Sequence, residues 1–474
     1  MSIIYSEGQR KAIHIIIDFF RGVLDKQLIT IAGYAGTGKS TIIMGALDEA
    51  GVNIEEVAFV AFTGKAALVL RRKGCPNAST IHKICYELKE SQECINPQQV
   101  ASGKEEAKYR TVMKFVKRAE LPDPRIKVIV VDECSMVTAE MLQDLMSFGA
   151  QLILLGDPGQ LPPVEKDEDR KKGSSWAVAS QGKTGTDYLK SPDVFLTEIH
   201  RQAEGDPIIH LSFLARTGGF IDFGRYGEKA AVIRKNELAL IDKCIVKAGQ
   251  ILVTKHDDRH LYNRRMRHLL GKDECILPDA GDKLVCRRNN WQTSIGGATD
   301  LSNDAYSAFM EAYADSGYGS VEEWTQSPEY QQYRAERDAV KVVSSGREVL
   351  PLINGLIGHA VNPVMDDDVD EGKRTMLLDF QPEGREDYFK GLVVDLNTFD
   401  PLPDSADFHR RSNYLGDTMI NQFDFGYALT VHTSQGSEWD NVFFHYSPWG
   451  DADMRKKMLY TAITRASKRF IMAK

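Results

Sequence analysis

The chain has 474 residues, 42% of them hydrophobic and 27% charged, a balance that fits a globular protein of roughly two to four domains. Its net charge of −8 at pH 7 excludes a uniformly basic nucleic-acid binder, and no apolar run approaches membrane-spanning length. The seven cysteines (75, 85, 94, 134, 244, 275, 286) form no Cys-x-x-Cys pair, which argues against a zinc site or disulfide framework and fits a reducing, cytoplasmic setting.

Near the start, the apolar stretch 13–20 is interrupted by His14 and Asp18 and does not read as a signal peptide. Residues 27–32 (QLITIA) read as a buried strand. Gly33-Tyr-Ala-Gly-Thr-Gly-Lys39-Ser40 follows and fits GxxxxGK[ST] in full, with a helical pattern after Lys39. Strand, glycine-rich turn and helix in that order are the context of a P-loop. Its backbone N–H groups and helix N-terminus suit phosphate oxygens. Lys39 would reach the outer phosphates and Ser40 would hold Mg²⁺. Residues 56–62 and 127–131 read as further buried strands, with a helix after Gly64. The second of these ends in Asp132-Glu133: a carboxylate for the magnesium shell, and one that can take a proton from attacking water. Between them, residues 83–126 form a long insert whose stretch from Lys104 to Lys127 holds eight Lys/Arg against four Asp/Glu. Its period is ambiguous: Tyr109, Val112 and Val116 fit a helix, Thr111, Met113 and Phe115 a strand. A helix after Thr138 and a strand at 151–155 complete this part.

A second α/β set begins near Val194, with helices at 206–217 and 256–270 and strands at 231–233 and 250–254. The alternation then breaks into short β-like runs at 283–287, 356–361, 374–380 and 391–395, separated by turn signals such as Asn354-Gly355. This predicts a small β-barrel. Within it, residues 297–346 are a helical-looking, aromatic-rich excursion, read as that insertion's own core more readily than as a row of stacking platforms. The α/β pattern returns at 425–431, 441–445 and 451–466. Residues 455–474 carry seven Lys/Arg and no acid.

Together these motifs resemble superfamily 1 helicases of the 1B branch, the RecD-like and phage Dda-like enzymes. Ser6-Glu-Gly-Gln9 resembles the glutamine motif that reads adenine, and Ala61-Phe-Thr-Gly-Lys-Ala-Ala67 motif Ia. Thr80-Ile-His82 resembles the following DNA-contacting motif. Val131-Asp-Glu-Cys-Ser-Met136 is similar to motif II, and Leu155-Gly-Asp-Pro-Gly-Gln-Leu-Pro-Pro-Val164 to motif III. Leu196-Thr-Glu-Ile-His-Arg201-Gln resembles motif IV. Thr430-Val-His-Thr-Ser-Gln-Gly-Ser-Glu438 is similar to motif V, and Leu459-Tyr-Thr-Ala-Ile-Thr-Arg465-Ala to motif VI. Eight such segments in order are far more specific than any one.

The resemblance implies two RecA-like lobes with parallel sheets: residues 1–82 with 127–193, and 194–280 with 424–474. It further implies a pin-like insertion at 83–126 and an inserted barrel domain at 281–423. ATP and Mg²⁺ would bind at Gln9, Gly33, Ala35, Gly36, Thr37, Gly38, Lys39, Ser40, Thr41, Gly436 and Glu438, with Ser40 and Asp132 on the metal. Lys39, Asp132, Glu133 and Gln160 would act with Arg201 and Arg465, whose planar, permanent charge suits the transferring phosphoryl group. Phe62, Thr63, Lys65, Thr80, His82, Thr430 and His432 would contact single-stranded DNA. The threonines are equally fit to cap helices, and the two roles are compatible. Phe62 stands where proline is usual and could stack or merely pack; Thr433 replaces a usual lysine. The expected activity is ATP-dependent, 5′ to 3′ movement on single-stranded DNA with duplex unwinding by a monomeric motor. Single/double-strand junctions would be its substrates, replication or recombination proteins its partners, and no membrane is involved. The alternative is a translocase that displaces bound proteins without processive unwinding. A DNA-binding module with a degenerate nucleotide site is disfavoured by the intact motifs, and a small-molecule P-loop kinase by motifs IV to VI.

Overall fold

The computed structural model describes residues 5–75, 78–94, 109–163, 182–198, 205–272, 276–296, 327–328, 350–365, 375–399, 414–415 and 418–474. Arg201, and the aromatic excursion 297–346 apart from residues 327–328, lie outside the described residues.

Helix α1 (Glu7–Phe20) opens on a capping box in which Ser6 and Gln9 each cap the other's backbone N–H. Then come β1 (Leu28–Gly33), α2 (Lys39–Ala50), β2 (Val57–Ala61), α3 (Gly64–Arg72), β3 (Ser79–Thr80), α4 (Ile81–Cys85), β4 (Tyr86–Cys94), β5 (Tyr109–Lys117), β6 (Val128–Asp132), α5 (Ala139–Met146), β7 (Gln151–Gly156), α6 (Gly185–Leu189) and β8 (Val194–Leu196). Six of these strands form an all-parallel sheet in the order β3-β2-β6-β7-β1-β8. Strand side chains alternate between faces, and each face here has its own core. Val57 and Phe59 of β2 join Val128 and Val130 of β6 in one; Ala58 and Val60 join Ile129 and Val131 in the other. A sheet covered on both faces explains the unbroken apolar runs in the sequence.

The next elements are α7 (Pro207–Thr217), β9 (Gly224–Tyr226), β10 (Ala230–Ile233), α8 (Leu238–Lys247), β11 (Gln250–Val253) and α9 (His256–Leu269). Then come β12 (Lys283–Cys286), β13 (Asn290–Ile295), β14 (Leu350–Leu352), β15 (Ile357–Met365), β16 (Thr375–Pro382), β17 (Phe389–Asp395), β18 (Tyr414–Leu415), β19 (Thr418–Met419) and β20 (Phe423–Phe425). The chain closes with β21 (Ala428–Thr430), β22 (Trp439–His445), α10 (Ala452–Ile463) and β23 (Ala466–Ala473). A second six-stranded sheet runs β21-β11-β22-β23-β10-β9, parallel except where β9 joins β10.

Two compact units result: Met1–Tyr262 with Ala428–Lys474, which holds both parallel sheets, and Asn263–Tyr427. In the latter, an antiparallel sheet runs β17-β16-β15-β12-β20. Its edges meet: Asp395 N–H donates to Asn421 O and Asn421 N–H to Val393 O, around a parallel bridge between Val394 and Asn421. Five strands of alternating direction can close only through one parallel pair, and this is that pair. Phe380, Phe389 and Phe423 pack together inside, fully buried.

The insert of undecided period is an antiparallel hairpin. Strands β4 and β5 pair over nine residues, from Tyr86↔Lys117 to Cys94↔Tyr109. No described helix is long and apolar enough to cross a membrane.

Candidate nucleotide and nucleic-acid site

The phosphate loop links the C-terminal end of β1 to α2. Gly38 adopts φ +80°, a conformation that favours glycine, and a Cβ there would push aside the Gln9 amide, whose nitrogen would lie at 2.8 Å. No side chain caps α2, which leaves its first N–H groups directed into the loop. The Lys39 ammonium donates to Gly33 O at 2.8 Å and Tyr34 O at 3.1 Å. Gln9 reaches in from α1 and donates to Thr37 O at 3.1 Å. Ser40 Oγ lies 3.4 Å from Asp132 Oδ2, at the tip of the adjoining β6. These are hard oxygen donors, few in number. They fit Mg²⁺, which keeps several waters and shares its shell with nucleotide phosphates.

Glu133 follows in a left-handed conformation, φ +51°, uncommon for a residue with a Cβ and a form of strain that collects at functional sites. Burial first, then the charge of Asp132, pushes its carboxyl above the ordinary glutamate value, while Arg465 and Lys39 oppose the rise. Those opposing charges put Arg465, at the end of α10, within electrostatic reach of Glu133. The Arg465 side chain is 5% exposed, its guanidinium held by Thr461 O and Ser437 O, both at 3.1 Å.

Four further hydrogen bonds join the segment after β7 and the phosphate loop to α10 and the turn after β21. The buried Tyr460 hydroxyl donates to Asp157 Oδ2 at 2.6 Å and accepts from Ala35 N–H at 3.2 Å. Leu161 N–H donates to Thr461 Oγ1 at 3.2 Å, and Gln435 Nε2 to Leu161 O at 3.1 Å. Next to Leu161, Gln160 is 3% exposed and its Oε1 has no hydrogen-bond partner among the described residues. An unpaired acceptor of this kind costs stability and calls for a role. The Arg216 guanidinium of α7 stacks 3.4 Å from the ring centre of Tyr34. Sequence reasoning assigned no role to Tyr460, Asp157, Thr461, Gln435 or Arg216. Asp157, Gln435, Tyr460 and Thr461 stand inside recognised motifs, which was the available signal; Arg216 stands in none.

The residues expected on a single strand fall on the C-terminal edges of both parallel sheets. Thr63 caps α3 through Ala66 N–H at 3.2 Å, and Thr80 caps α4 through Lys83 N–H at 3.3 Å. Phe62 is half-buried, with His82 edge-on at 6.4 Å; His82 also meets Tyr86 at 5.6 Å and Phe115 of the hairpin at 5.9 Å. Thr430 Oγ1 lies 2.9 Å from the hydroxyl of Thr433, the residue standing where lysine is usual. Burial holds both His82 and His432 below the ordinary imidazole value, with His256 adding to the effect at His432. Both rings are therefore neutral near pH 7 and offer faces and hydrogen bonds rather than charge. Gly436, at φ +73°, brings the turn after β21 to Ala66 of α3, where a Cβ would come within 3.1 Å. Beside it, Lys65 lies over the Trp439 ring at 4.9 Å. Glu438 is exposed, Thr41 lies exposed on the first turn of α2, and Arg201 is outside the described residues.

Residues 5–236 match a family model described as an AAA domain, and residues 425–473 that of the UvrD-like helicase C-terminal domain. The ATP-dependent RecD2 DNA helicase of Deinococcus radiodurans is 24% identical over 450 residues, 94% of this chain and 47% of that protein. The ATP-dependent DNA helicase PIF1 of Saccharomyces cerevisiae is 28% identical over 264 residues, 52% of this chain and 27% of that protein. The chain spans less than half the length of the curated relatives it matches. A solved Pif1 helicase from Bacteroides, in complex with ADP-AlF3 and single-stranded DNA, is 15% identical with a TM-score of 0.47, covering 99% of this chain and 92% of that one. Matched at both ends by these family models, and carrying the phosphate loop and the Asp132-Glu133 pair, the chain belongs to the RecD- and Pif1-like helicases of superfamily 1B.

Proposed function

We propose that this chain is an ATP-dependent DNA helicase that moves 5′ to 3′ on single-stranded DNA and unwinds duplex at single/double-strand junctions. The observation that carries this reading is the divided site. The phosphate loop, Asp132 and Glu133 stand on the first parallel sheet, while Tyr460 and Arg465 reach them from α10 beside the second. A catalytic centre assembled from two sheets can be made and unmade by their relative motion, which is what couples hydrolysis to movement.

The roles follow from the chemistry. The phosphates of ATP lie in the loop from Gly33 to Thr41, with Lys39 on the outer phosphates and Gln9 at the base. Ser40 and Asp132 hold Mg²⁺, which neutralises the charge that develops on the phosphates. Glu133 accepts the proton of the attacking water. Gln160, its oxygen otherwise unpaired, faces the γ-phosphate, and Arg465 stabilises the transferring group, joined by Arg201. Phe62, Thr63, Lys65, Thr80, His82, Thr430 and His432 carry the strand, largely through phosphate and stacking contacts without sequence preference. In this reading the lobes are 1–82 with 127–193 and 194–280 with 424–474, the β4–β5 hairpin is the pin, and the closed five-stranded sheet is a small barrel within 281–423. Polarity rests on the family alone.

The test is strand displacement on partial duplexes carrying a 5′ or a 3′ single-stranded tail, with ATP and Mg²⁺. Displacement confined to the 5′-tailed substrate is expected. Displacement only from 3′ tails overturns the polarity. DNA-stimulated ATPase without displacement leaves the protein-stripping translocase, and ATPase indifferent to DNA overturns the motor.

A further inference from the structure

The C-terminal edge of the second parallel sheet carries an aromatic residue that the motifs do not include. Trp449 follows β22 in the sequence Ser447-Pro-Trp-Gly-Asp451 and is 50% exposed. An indole is among the most costly side chains to leave in water, and it normally buries its ring. Its setting is defined. Trp449 meets His432 edge to face, with ring centres 6.4 Å apart and planes at 84°. The chain leading to it is anchored where Ser447 N–H donates to Thr254 Oγ1 at 3.2 Å, just past the end of β11. The turn after it is held where Arg455 Nε donates to Gly450 O at 2.9 Å. Strands β21, β11 and β22 are neighbours, so Thr430, Thr254 and Trp449 emerge side by side at their C-terminal ends. Ligands of open parallel sheets bind at that edge. The exposed cations Lys255 and Arg455 flank it; the nearby Asp451 carboxylate is engaged as the cap of α10 through Met454 N–H.

We propose that Trp449 is a base-stacking residue of the second sheet, its open indole face, braced by His432, receiving one base of the single strand whose phosphates run past Thr430 and Thr254. This rests on the single-strand reading given above. It assigns that reading a contact with the base rather than the backbone, of the kind that holds any base without discriminating among sequences.

The test uses the full chain and a fluorescein-labelled oligothymidine, with anisotropy titrations over a salt series for wild type, Trp449→Ala and Trp449→Phe. Stacking on an aromatic ring is worth about 1–3 kcal/mol per base, or roughly five- to a hundredfold in affinity. Trp449→Ala should weaken binding by that factor with the slope of log affinity against log salt unchanged, because no phosphate contact is lost. Trp449→Phe, which keeps a ring, should recover most of the loss. An oligonucleotide with abasic sites should weaken wild-type binding yet add little to the loss in Trp449→Ala, the signature of one shared interaction. Wild-type affinity in Trp449→Ala, or a full loss in Trp449→Phe, overturns the stacking role while leaving the single-strand reading in place. No binding by the wild-type chain overturns that reading and the stacking role with it.

Discussion

Glu133 must be ionised to take a proton, and its surroundings disfavour ionisation. Burial and Asp132 raise its pKa, so the carboxylate forms at a higher pH than in an unperturbed glutamate. Turnover should therefore fall on the acid side at a pH higher than an unperturbed glutamate would give. A pH profile of steady-state ATPase, read alongside Glu133→Gln, checks this. The amide should cut turnover by roughly a hundredfold or more at every pH while nucleotide binding persists; a glutamine variant with the wild-type profile removes Glu133 from the chemistry. Tyr460 supplies a different kind of test. Burial and Asp157 raise its pKa, so the phenol stays protonated and donates to a carboxylate that is fully buried. Tyr460→Phe keeps the ring but leaves Asp157 without that donor and Ala35 N–H without its acceptor. A buried group left unpaired costs about 1–3 kcal/mol, measurable by denaturant unfolding. Because the hydroxyl joins α10 to the phosphate loop, ATPase should fall as well, and unchanged turnover would make the contact purely structural.

Among the elements, the β4–β5 hairpin shows where sequence reading stops. Strands β1, β2, β6 and β7 were legible because both faces of their sheet are covered, and their residues form continuous apolar runs. Phe115 and Val116 point to opposite sides of β5 and are 56% and 41% exposed, so neither side imposes a period and the segment fits helix and strand alike. Strand β23 was missed because its basic residues hide a half-buried pattern that only pairing with β10 and β22 explains. Within the site, the residues of phosphate chemistry were legible from spacing. Tyr460 and Arg216 were not, since an aromatic or an arginine on a helix ordinarily fills a core or a surface. The hairpin also carries a prediction. Replacing residues 88–115 with a short turn removes Phe115 from His82 but leaves the phosphate loop, Glu133 and Arg465 untouched. Single-strand-stimulated ATPase should persist while strand displacement drops to background. A folded deletion variant that still unwinds would place strand separation elsewhere.

At the scale of the molecule, the proposed single-strand contacts, Thr63 and Thr80 on the first sheet and Thr430 on the second, would have a bound strand bridge the same two sheets as the proposed nucleotide site. Its binding should pre-align Arg465, so ATPase should rise on adding single-stranded DNA and the rise should fade with salt, by a log–log slope of about −0.7 per phosphate neutralised. Arg465→Ala should lose stimulated turnover by roughly a thousandfold while still binding DNA. ATPase with and without DNA across a salt series decides both, and an unimpaired variant would remove Arg465 from the site. The placing of the second unit in the chain has a separate consequence. The chain leaves the second parallel sheet after β11 and comes back as β21, directly beside it, Ile251 opposite Ala428. In the other unit, β12 and β20 lie near the two ends and are themselves paired, Leu284 against Phe425. Helix α9 runs across the first boundary, at residues 262–263, but the strands on each side of the break pair within their own unit, and bridging either gap with a short linker costs little loop-closure entropy. The segment between the end of α9 and the start of β21 is in that sense a cartridge: a domain of another kind, provided its own ends lie together, could be spliced into the same slot without unravelling the sheet that hosts it.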